Sequence, residues 1–135
     1  MGVSPIPFSF WKGTCSLLLG IHDFINSQPL LEPLMKRASE AGLEIRTNSP
    51  AQLADQLSNG KLDMAMIPAI EYLKQADRFR LLPNISISSR NKVGTVLLVS
   101  KVPLNAIRSL ALDDRSRTSV ALLRILYSEV FSAGL

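Results

Sequence analysis

The sequence Ser109-Leu-Ala-Leu-Asp-Asp-Arg-Ser-Arg-Thr-Ser119 decides which fold class we predict for this chain. It contains Leu110–Leu112, a short apolar run of the kind that forms a buried strand. Polar, turn-forming residues interrupt the run from Asp113 to Ser116. Residues 120–131 then contain no proline or glycine and are apolar on nearly every face, which predicts a largely buried helix. The stretch is therefore a strand, a polar loop and a helix, an arrangement typical of α/β proteins.

The loop between this strand and this helix has two interpretations. Its hydroxyls and the free backbone N–H groups of the helix start could bind a carboxylate or a phosphate, because that end of a helix is positive. Alternatively, Thr118 or Ser119 only caps the helix by accepting a hydrogen bond from an unpaired N–H group. The stretch alone leaves both interpretations open.

Composition narrows the class of protein and of ligand. The length of 135 residues suits one domain, and an apolar fraction of 47% is normal for a globular core. The net charge is +4, but the basic residues are scattered and aromatic residues are few, so we expect a small anionic ligand and no nucleic acid. The single cysteine fits a reducing compartment, and with a single histidine it provides no Cys or His metal site. We predict no metal and no cofactor.

Residues 1–16 are predicted to be a disordered extension. The segment Phe8–Leu19 is fairly apolar, but Lys12 and Gly13 interrupt it and it is too short to span a bilayer. No basic segment precedes it, which makes it a poor signal peptide. We therefore expect a cytoplasmic protein with no membrane partner.

Between residues 17 and 75 the hydrophobic pattern alternates between short strands and helices. The clearest signal is Ser49-Pro-Ala-Gln52, a capping box with proline at the first helical position. The first strand is apolar on both faces, which favours the centre of a parallel sheet. Strands are predicted at Leu17–His22, Leu43–Thr47 and Leu62–Ile67, and helices at Glu32–Ala41, from Pro50 to the Asn59-Gly60 stop, and at Ala69–Gln75.

From residue 79 onward the pattern favours strands. They are predicted at Phe79–Pro83, Ile85–Ser88, Thr95–Ser100 and Leu110–Leu112. The whole order gives an α/β fold with a mostly parallel sheet. The last predicted strand and helix are too few elements to form a separate α/β lobe. They either extend the first sheet or begin a second lobe.

Polar segments follow the predicted strands, and in such sheets ligands collect outside the carboxyl ends of the strands. Together these segments would form a pocket of hydrogen-bond donors for a carboxylate-bearing ligand. Asn26 could contact that ligand or cap the turn before Pro29. Ser88 and Ser89, with Ser86, could bind a carboxylate or be the solvated face of a strand.

Other polar residues also have two roles open to them. His22 could be a general base or a hydrogen-bonded structural residue. Glu71 has the spacing of a surface charge, whereas Ile70 and Leu73 are expected to face inward. Asp113, with Asp114, could orient Arg115 or Arg117, or only end the strand. No nucleophile–base pair, P-loop or dinucleotide glycine pattern is present, so the catalytic residues stay unassigned.

Four ordered motifs give the chain a specific resemblance to chorismate dehydratase, the first enzyme of the futalosine route to menaquinone. They are Gly20-Ile-His-Asp-Phe-Ile-Asn-Ser-Gln-Pro-Leu30, Gly60-Lys-Leu-Asp-Met-Ala-Met-Ile-Pro-Ala-Ile-Glu-Tyr-Leu73, Leu81-Leu-Pro-Asn-Ile-Ser-Ile-Ser-Ser89 and Ala111-Leu-Asp-Asp-Arg-Ser-Arg-Thr-Ser-Val-Ala-Leu-Leu123. The resemblance implies the fold of type II periplasmic binding proteins, two α/β lobes with a ligand cleft between them. It places the first lobe at residues 17–100 and the start of an incomplete, truncated second lobe at residues 101–135.

The resemblance also implies a reaction, the removal of water from chorismate to give 3-[(1-carboxyvinyl)oxy]benzoate. Asn26, the pair Ser88 and Ser89, and the pair Thr118 and Ser119 match family residues and are expected to contact this dicarboxylate substrate. The general base is not identified. Two alternatives are a carboxylate-binding module of the same fold without chemistry and the related 1,4-dihydroxy-6-naphthoate synthase.

Two further expectations follow from the length of the family chains, which are about twice as long as a 135-residue chain. A cleft that lacks most of one lobe would leave the ligand in contact with water, which weakens electrostatic contacts. We therefore expect little or no dehydratase activity from this chain alone. We also expect the apolar side chains of the last helix to lack part of their packing and to favour self-association.

Overall fold

The computed structural model describes residues 16–130, with the side chain of Val130 excepted. The predicted extension at residues 1–16 lies, apart from Ser16, outside the described residues. So does Phe131, the predicted end of the last helix. Within residues 16–130 no helix is long and apolar enough to cross a membrane.

The described residues form one small parallel sheet of three strands in the order β2-β1-β3. The strands are β1 at Leu17–Ile21, β2 at Leu43–Thr47 and β3 at Met64–Ala65. β1 lies at the centre and pairs in parallel with both neighbours, as its apolar sequence predicted. β3 is shorter than the predicted strand at Leu62–Ile67, because only two of those residues pair with β1. The α/β class is therefore confirmed, and the two-lobed arrangement stays a prediction.

Helix α1 spans Gln28–Arg37 and begins earlier than predicted. Pro29 occupies the first turn, and Pro33, which we expected there, lies inside the helix. Both prolines suit a first turn, so local sequence could not choose between them. After α1, Gly42 adopts a φ of 64°, and the N–H of Leu43 donates to the carbonyl of Ala38 at 2.8 Å. Helix α1 therefore ends at Arg37, earlier than the predicted Ala41, and Gly42 ends the turns that follow it.

Helix α2 spans Pro50–Ser58 and confirms the predicted capping box. Ser49 Oγ accepts a hydrogen bond from the Gln52 backbone N–H at 3.3 Å and donates to Gln52 Oε1 at 2.9 Å. Leu53 of this helix packs into the core and is fully buried. The helix lies very close to β1: a Cβ added at Gly20 would meet Leu53 Cδ2 at 2.7 Å and Leu62 Cδ1 at 2.6 Å.

Helix α3 spans Ala69–Lys74, close to its predicted range, but it presents different side chains to the protein. Leu73 was expected to face inward and is 69% exposed, whereas Ile70 is half-buried. Glu71 was expected on the surface and is 7% exposed. The predicted orientation of α3 is therefore wrong, because its buried side faces ion-pair partners rather than an apolar core.

The strands predicted after residue 75 do not form. Residues 80–106 are exposed throughout, with only a single turn of 3-10 helix at Leu104–Ala106. A strand needs a hydrogen-bonded neighbour, and no described segment pairs with these residues. The predictions that are wrong for this reason are Phe79–Pro83, Ile85–Ser88, Thr95–Ser100 and Leu110–Leu112.

Helix α4 spans Arg117–Ile125 and continues as a π-helical turn at Leu126–Val130. No residue of α4 is buried, so the prediction of a largely buried helix is wrong. Ile125 and Leu126 are 54% and 44% exposed, which confirms that part of the packing of this helix is missing. Tyr127 is the buried residue here, and its hydroxyl donates to the carbonyl of Leu104 at 3.1 Å.

Candidate functional site

The carboxyl end of β1 leads into a tightly bonded turn that carries Asn26. A 3-10 turn at Ile25–Ser27 joins β1 to α1, and Ser27 is fully buried beneath it. Ser27 Oγ lies within hydrogen-bonding distance of the carbonyl oxygens of His22 and of Phe24, the latter at 2.7 Å. These bonds hold the turn in one conformation and leave Asn26 exposed on its surface.

His22 lies at the base of the same turn and is 8% exposed. Its ring packs against Phe24 with the two ring centroids 4.9 Å apart. Its Nδ1 atom is buried and has no hydrogen-bond partner in the described part of the chain. Burial lowers the pKa of His22, an effect that the negative charge of Asp23 opposes. The imidazole is therefore neutral at pH 7.

The start of α4 places Thr118 and Ser119 beside α3. Thr118 Oγ1 accepts a hydrogen bond from the backbone N–H of Ile70 at 3.4 Å. Ser116 Oγ donates to Ser119 Oγ at 2.8 Å. No side chain caps α4, so the interpretation of Thr118 or Ser119 as the cap of their own helix is wrong. Thr118 instead pairs with an N–H group at the start of the neighbouring helix.

An ion-pair cluster fixes this helix start. Arg117 donates from Nη1 and Nη2 to the two carboxylate oxygens of Asp55 at 2.9 and 2.8 Å. Arg117 Nη1 also lies 3.4 Å from Glu71 Oε2, and Glu71 Oε1 lies 3.4 Å from Lys74 Nζ. The hydrogen bond to Asp55 is the main cause of a raised pKa for Arg117. A bidentate arginine–carboxylate pair fixes orientation as well as distance, so this cluster sets how α4 meets α2 and α3.

The acidic residues before α4 act only in part as expected. Asp113 accepts hydrogen bonds from the backbone N–H of Arg115 at 3.0 Å and from its Nε at 3.1 Å. The hydrogen bonds from Arg115 lower the pKa of Asp113. Asp113 therefore orients Arg115, but Arg117 is oriented by Asp55, a residue that sequence analysis did not select.

Ser88 and Ser89 lie in the exposed segment 80–106. Ser89 Oγ donates to the carbonyl of Asn91 at 3.0 Å and accepts from its N–H at 3.3 Å, and Ser88 Oγ lies 3.5 Å from Ser86 Oγ. These are local contacts of a turn. Within the described residues no hydrogen bond links the serine pair to the turn that carries Asn26 or to the start of α4.

Comparison with known proteins identifies the family. A family model described as menaquinone biosynthesis matches residues 17–134. The chain belongs to this family. A chorismate dehydratase from Thermus thermophilus is 32% identical over 112 residues, which cover 83% of this chain and 40% of the relative. The chain thus spans about 40% of the length of that curated relative. The resemblance based on the four motifs is confirmed.

In this member of the menaquinone biosynthesis family, the five candidate residues lie in three places. Thr118 and Ser119 meet at the start of α4, Asn26 lies at the end of β1, and the serine pair lies on the exposed segment. Their meeting around one ligand stays a prediction. A separate hollow lies along α1, and no candidate residue lines it; its lining is Pro29, Leu30, Pro33, Leu34, Arg37, Glu40 and Ala41.

Two features of this site were not found from sequence. Asp55 and Arg117 are 62 residues apart, and no local period connects them. Glu71 is buried beside the same arginine, with which it forms an ion pair. As for metals, no group of three His, Cys, Asp or Glu residues within the described part of the chain is arranged to hold an ion.

Proposed function

We propose that this chain carries the chorismate-binding face of a chorismate dehydratase. The reaction removes water from chorismate to give 3-[(1-carboxyvinyl)oxy]benzoate, which makes the enzyme a carbon–oxygen lyase. The observation that supports this most directly is the family match over residues 17–134, because it includes all five candidate residues. The activity named for the Thermus thermophilus relative supports the same substrate.

The start of α4 is suited to one carboxylate of such a substrate. A helix N-terminus carries a partial positive charge, and the first turn of α4 has no side-chain cap to satisfy its N–H groups. Thr118 and Ser119 each accept a hydrogen bond in the protein, so each hydroxyl proton is available to a ligand oxygen. The Asn26 amide provides a further donor at the end of β1. In the proposed complex these donors bind the charged ends of chorismate.

The chemistry needs little from the protein beyond this orientation. A proton leaves a carbon next to the unsaturated ring system, hydroxide leaves from the ring alcohol, and the products are water and an aromatic ring. Formation of the aromatic ring supplies much of the driving force. Donors placed around the substrate charges then contribute by positioning and electrostatics. A carboxylate of the substrate is available to take the proton.

The proposal includes the two-lobed fold of type II periplasmic binding proteins and a cytoplasmic location. The parallel sheet of residues 17–65 supports the first lobe, with α4 belonging to the second. The single cysteine fits a reducing compartment. Because segment 80–106 is exposed throughout, water reaches Ser88 and Ser89, and we expect little or no turnover from the chain in isolation.

The proposal is tested by titrating the purified chain with chorismate and identifying any product by absorbance and chromatography. We expect measurable binding, little or no turnover, and 3-[(1-carboxyvinyl)oxy]benzoate as the product of any turnover that occurs. Asn26→Ala and Thr118→Val should each weaken binding by about tenfold, because each removes a hydrogen bond to a charged group. Ser39→Ala, which removes an exposed hydroxyl after α1, is the control and should bind as the unaltered chain does. Binding that is the same in all four proteins would contradict the proposal.

A further inference from the structure

The residue after the central strand, His22, has a ring nitrogen without a hydrogen-bond partner in the described part of the chain. His22 follows β1 directly and is 8% exposed. Its Nδ1 is fully buried and has no hydrogen-bond partner in the described part of the chain. Among the described side chains that are not exposed, no other fully buried nitrogen or oxygen lacks a partner. A buried polar atom without a partner destabilises a protein, because it has lost its hydrogen bonds to water. Such an atom at the carboxyl end of a parallel strand, where ligands of these sheets bind, points to a partner that binds there.

The protonation of His22 identifies the chemistry of that partner. Burial lowers its pKa, so the ring is neutral and holds one proton. A buried N–H without an acceptor is rarer than an acceptor without a donor. The proton is therefore assigned to Nε2, and Nδ1 carries a lone pair. The missing partner has to be a hydrogen-bond donor, which excludes an ionised carboxylate.

The position of the ring favours a ligand group over a side chain of this protein. Ser27 Oγ holds the carbonyl groups of His22 and Phe24, and the ring of Phe24 packs on the imidazole. These contacts hold the backbone of the turn and pack one aromatic ring against the imidazole. Asn26 lies four residues further along the same turn, and the carboxyl end of a central parallel strand is where ligands of such sheets bind.

We propose that His22 Nδ1 accepts a hydrogen bond from the ring hydroxyl of the substrate, and that His22 thereby determines specificity for that alcohol. This inference rests on the proposed function. Chorismate offers two carboxylates, which are acceptors, and one alcohol, which is a donor. His22 therefore takes the hydroxyl, while Asn26, Thr118 and Ser119 take the carboxylates. A site that pairs with a substrate hydroxyl discriminates against analogues that lack it.

The test uses the fact that the sequence contains one histidine. Protein labelled with nitrogen-15 only at histidine gives one imidazole signal set by nuclear magnetic resonance, with no assignment problem. Titration with chorismate should move the Nδ1 resonance upfield, as expected for a lone pair that gains a donor. Titration with 3-[(1-carboxyvinyl)oxy]benzoate, which keeps both carboxylates and lacks the ring hydroxyl, should leave that resonance in place.

A variant provides the second measurement. His22→Phe keeps the ring contact with Phe24 and removes the acceptor. It should weaken chorismate binding by roughly five- to tenfold and leave binding of the benzoate unchanged, because one neutral hydrogen bond is lost. If this variant fails to fold, the two titrations of the unaltered chain still decide the question.

The outcomes separate this inference from the proposed function. If chorismate shifts the amide signals of Asn26 and Thr118 in a second, uniformly nitrogen-15-labelled sample but does not shift Nδ1 of His22, the inference is overturned and the proposed function stands. If both ligands move Nδ1 equally, the hydroxyl is not its partner and the inference is also overturned. If no signal moves with either ligand, both the inference and the proposed function fail.

Discussion

Replacement of Gly20 by alanine should destabilise the protein by overpacking the contact between β1 and α2. The new Cβ would lie 2.6 Å from Leu62 Cδ1, 2.7 Å from Leu53 Cδ2 and 3.3 Å from Ala65 Cβ. Two of these distances are well inside van der Waals contact. Leu53 and Leu62 are 0% and 4% exposed, so neither side chain can turn outward without opening the core. Overpacking of this kind costs about 1–3 kcal/mol.

A smaller opposing term comes from the unfolded chain. Alanine reduces the conformational freedom of that chain, which stabilises the folded state by about 0.4–1 kcal/mol where the backbone permits the substitution. The expected net loss for Gly20→Ala is therefore about 1–2 kcal/mol in the free energy of unfolding. Urea unfolding followed by circular dichroism measures this directly.

Gly94→Ala is the matched control. An added Cβ at Gly94 meets no atom within 4 Å, so this variant should be neutral or slightly stabilised. A second variant, Gly20→Ala combined with Leu62→Ala, should lose less than the sum of the two single changes, because the clash disappears. If Gly20→Ala unfolds at the same urea concentration as the unaltered chain, the close packing of α2 on β1 is wrong.

Three other predictions concern the ion-pair cluster, the histidine and the last helix. Arg117→Gln should lower the free energy of unfolding by about 1 kcal/mol in urea titrations, because buried Glu71 keeps only Lys74 as a partner; an unchanged midpoint would contradict this. Because burial lowers the pKa of His22 below its ordinary 6.5, the unfolded chain binds a proton that the folded chain does not. This stability should therefore be present above pH 6.5 and be lost as the pH falls through the folded pKa, and His22→Phe should remove that loss. Ile125→Lys should reduce self-association measured by light scattering, because the side chain at that position is 54% exposed on an apolar face; equal association of both proteins would count against α4 as the contact.

The elements predicted well are those whose own residues contain the deciding signal. The Ser49 capping box fixes the start of α2 within four residues, and the structure forms it as predicted. The central position of β1 followed from apolar residues on both faces. The start of α1 was ambiguous because Pro29 and Pro33 both suit a first turn. The local sequence is compatible with a first turn at either proline, and the structure has the first turn at Pro29.

The elements predicted badly are those that need a partner elsewhere in the chain. Alternation in Ile85–Ser88 indicates that the segment can form a strand, but a strand forms only beside another. Glu71 has the spacing of a surface charge on α3, and its burial depends on Arg117, which is 46 positions later. The candidate site has the same limit, since the sequence supplied the donors but not the distances between them.

The way α4 is attached has a consequence for ligand binding. No residue of α4 is buried, and Leu122 and Ile125 are more than half exposed, so apolar burial contributes little to its position. Its directional contacts include the bidentate pair from Arg117 to Asp55, the ion pair from Arg117 to Glu71, and the bond between Ile70 N–H and Thr118 Oγ1. The side chain of Asp55 is 56% exposed, so added salt screens this pair, whereas the sheet core around Leu53 does not depend on charge. Binding of a dicarboxylate at Thr118 should therefore weaken with ionic strength both through the ligand charge and through loosening of α4, while the urea midpoint of the whole chain changes little.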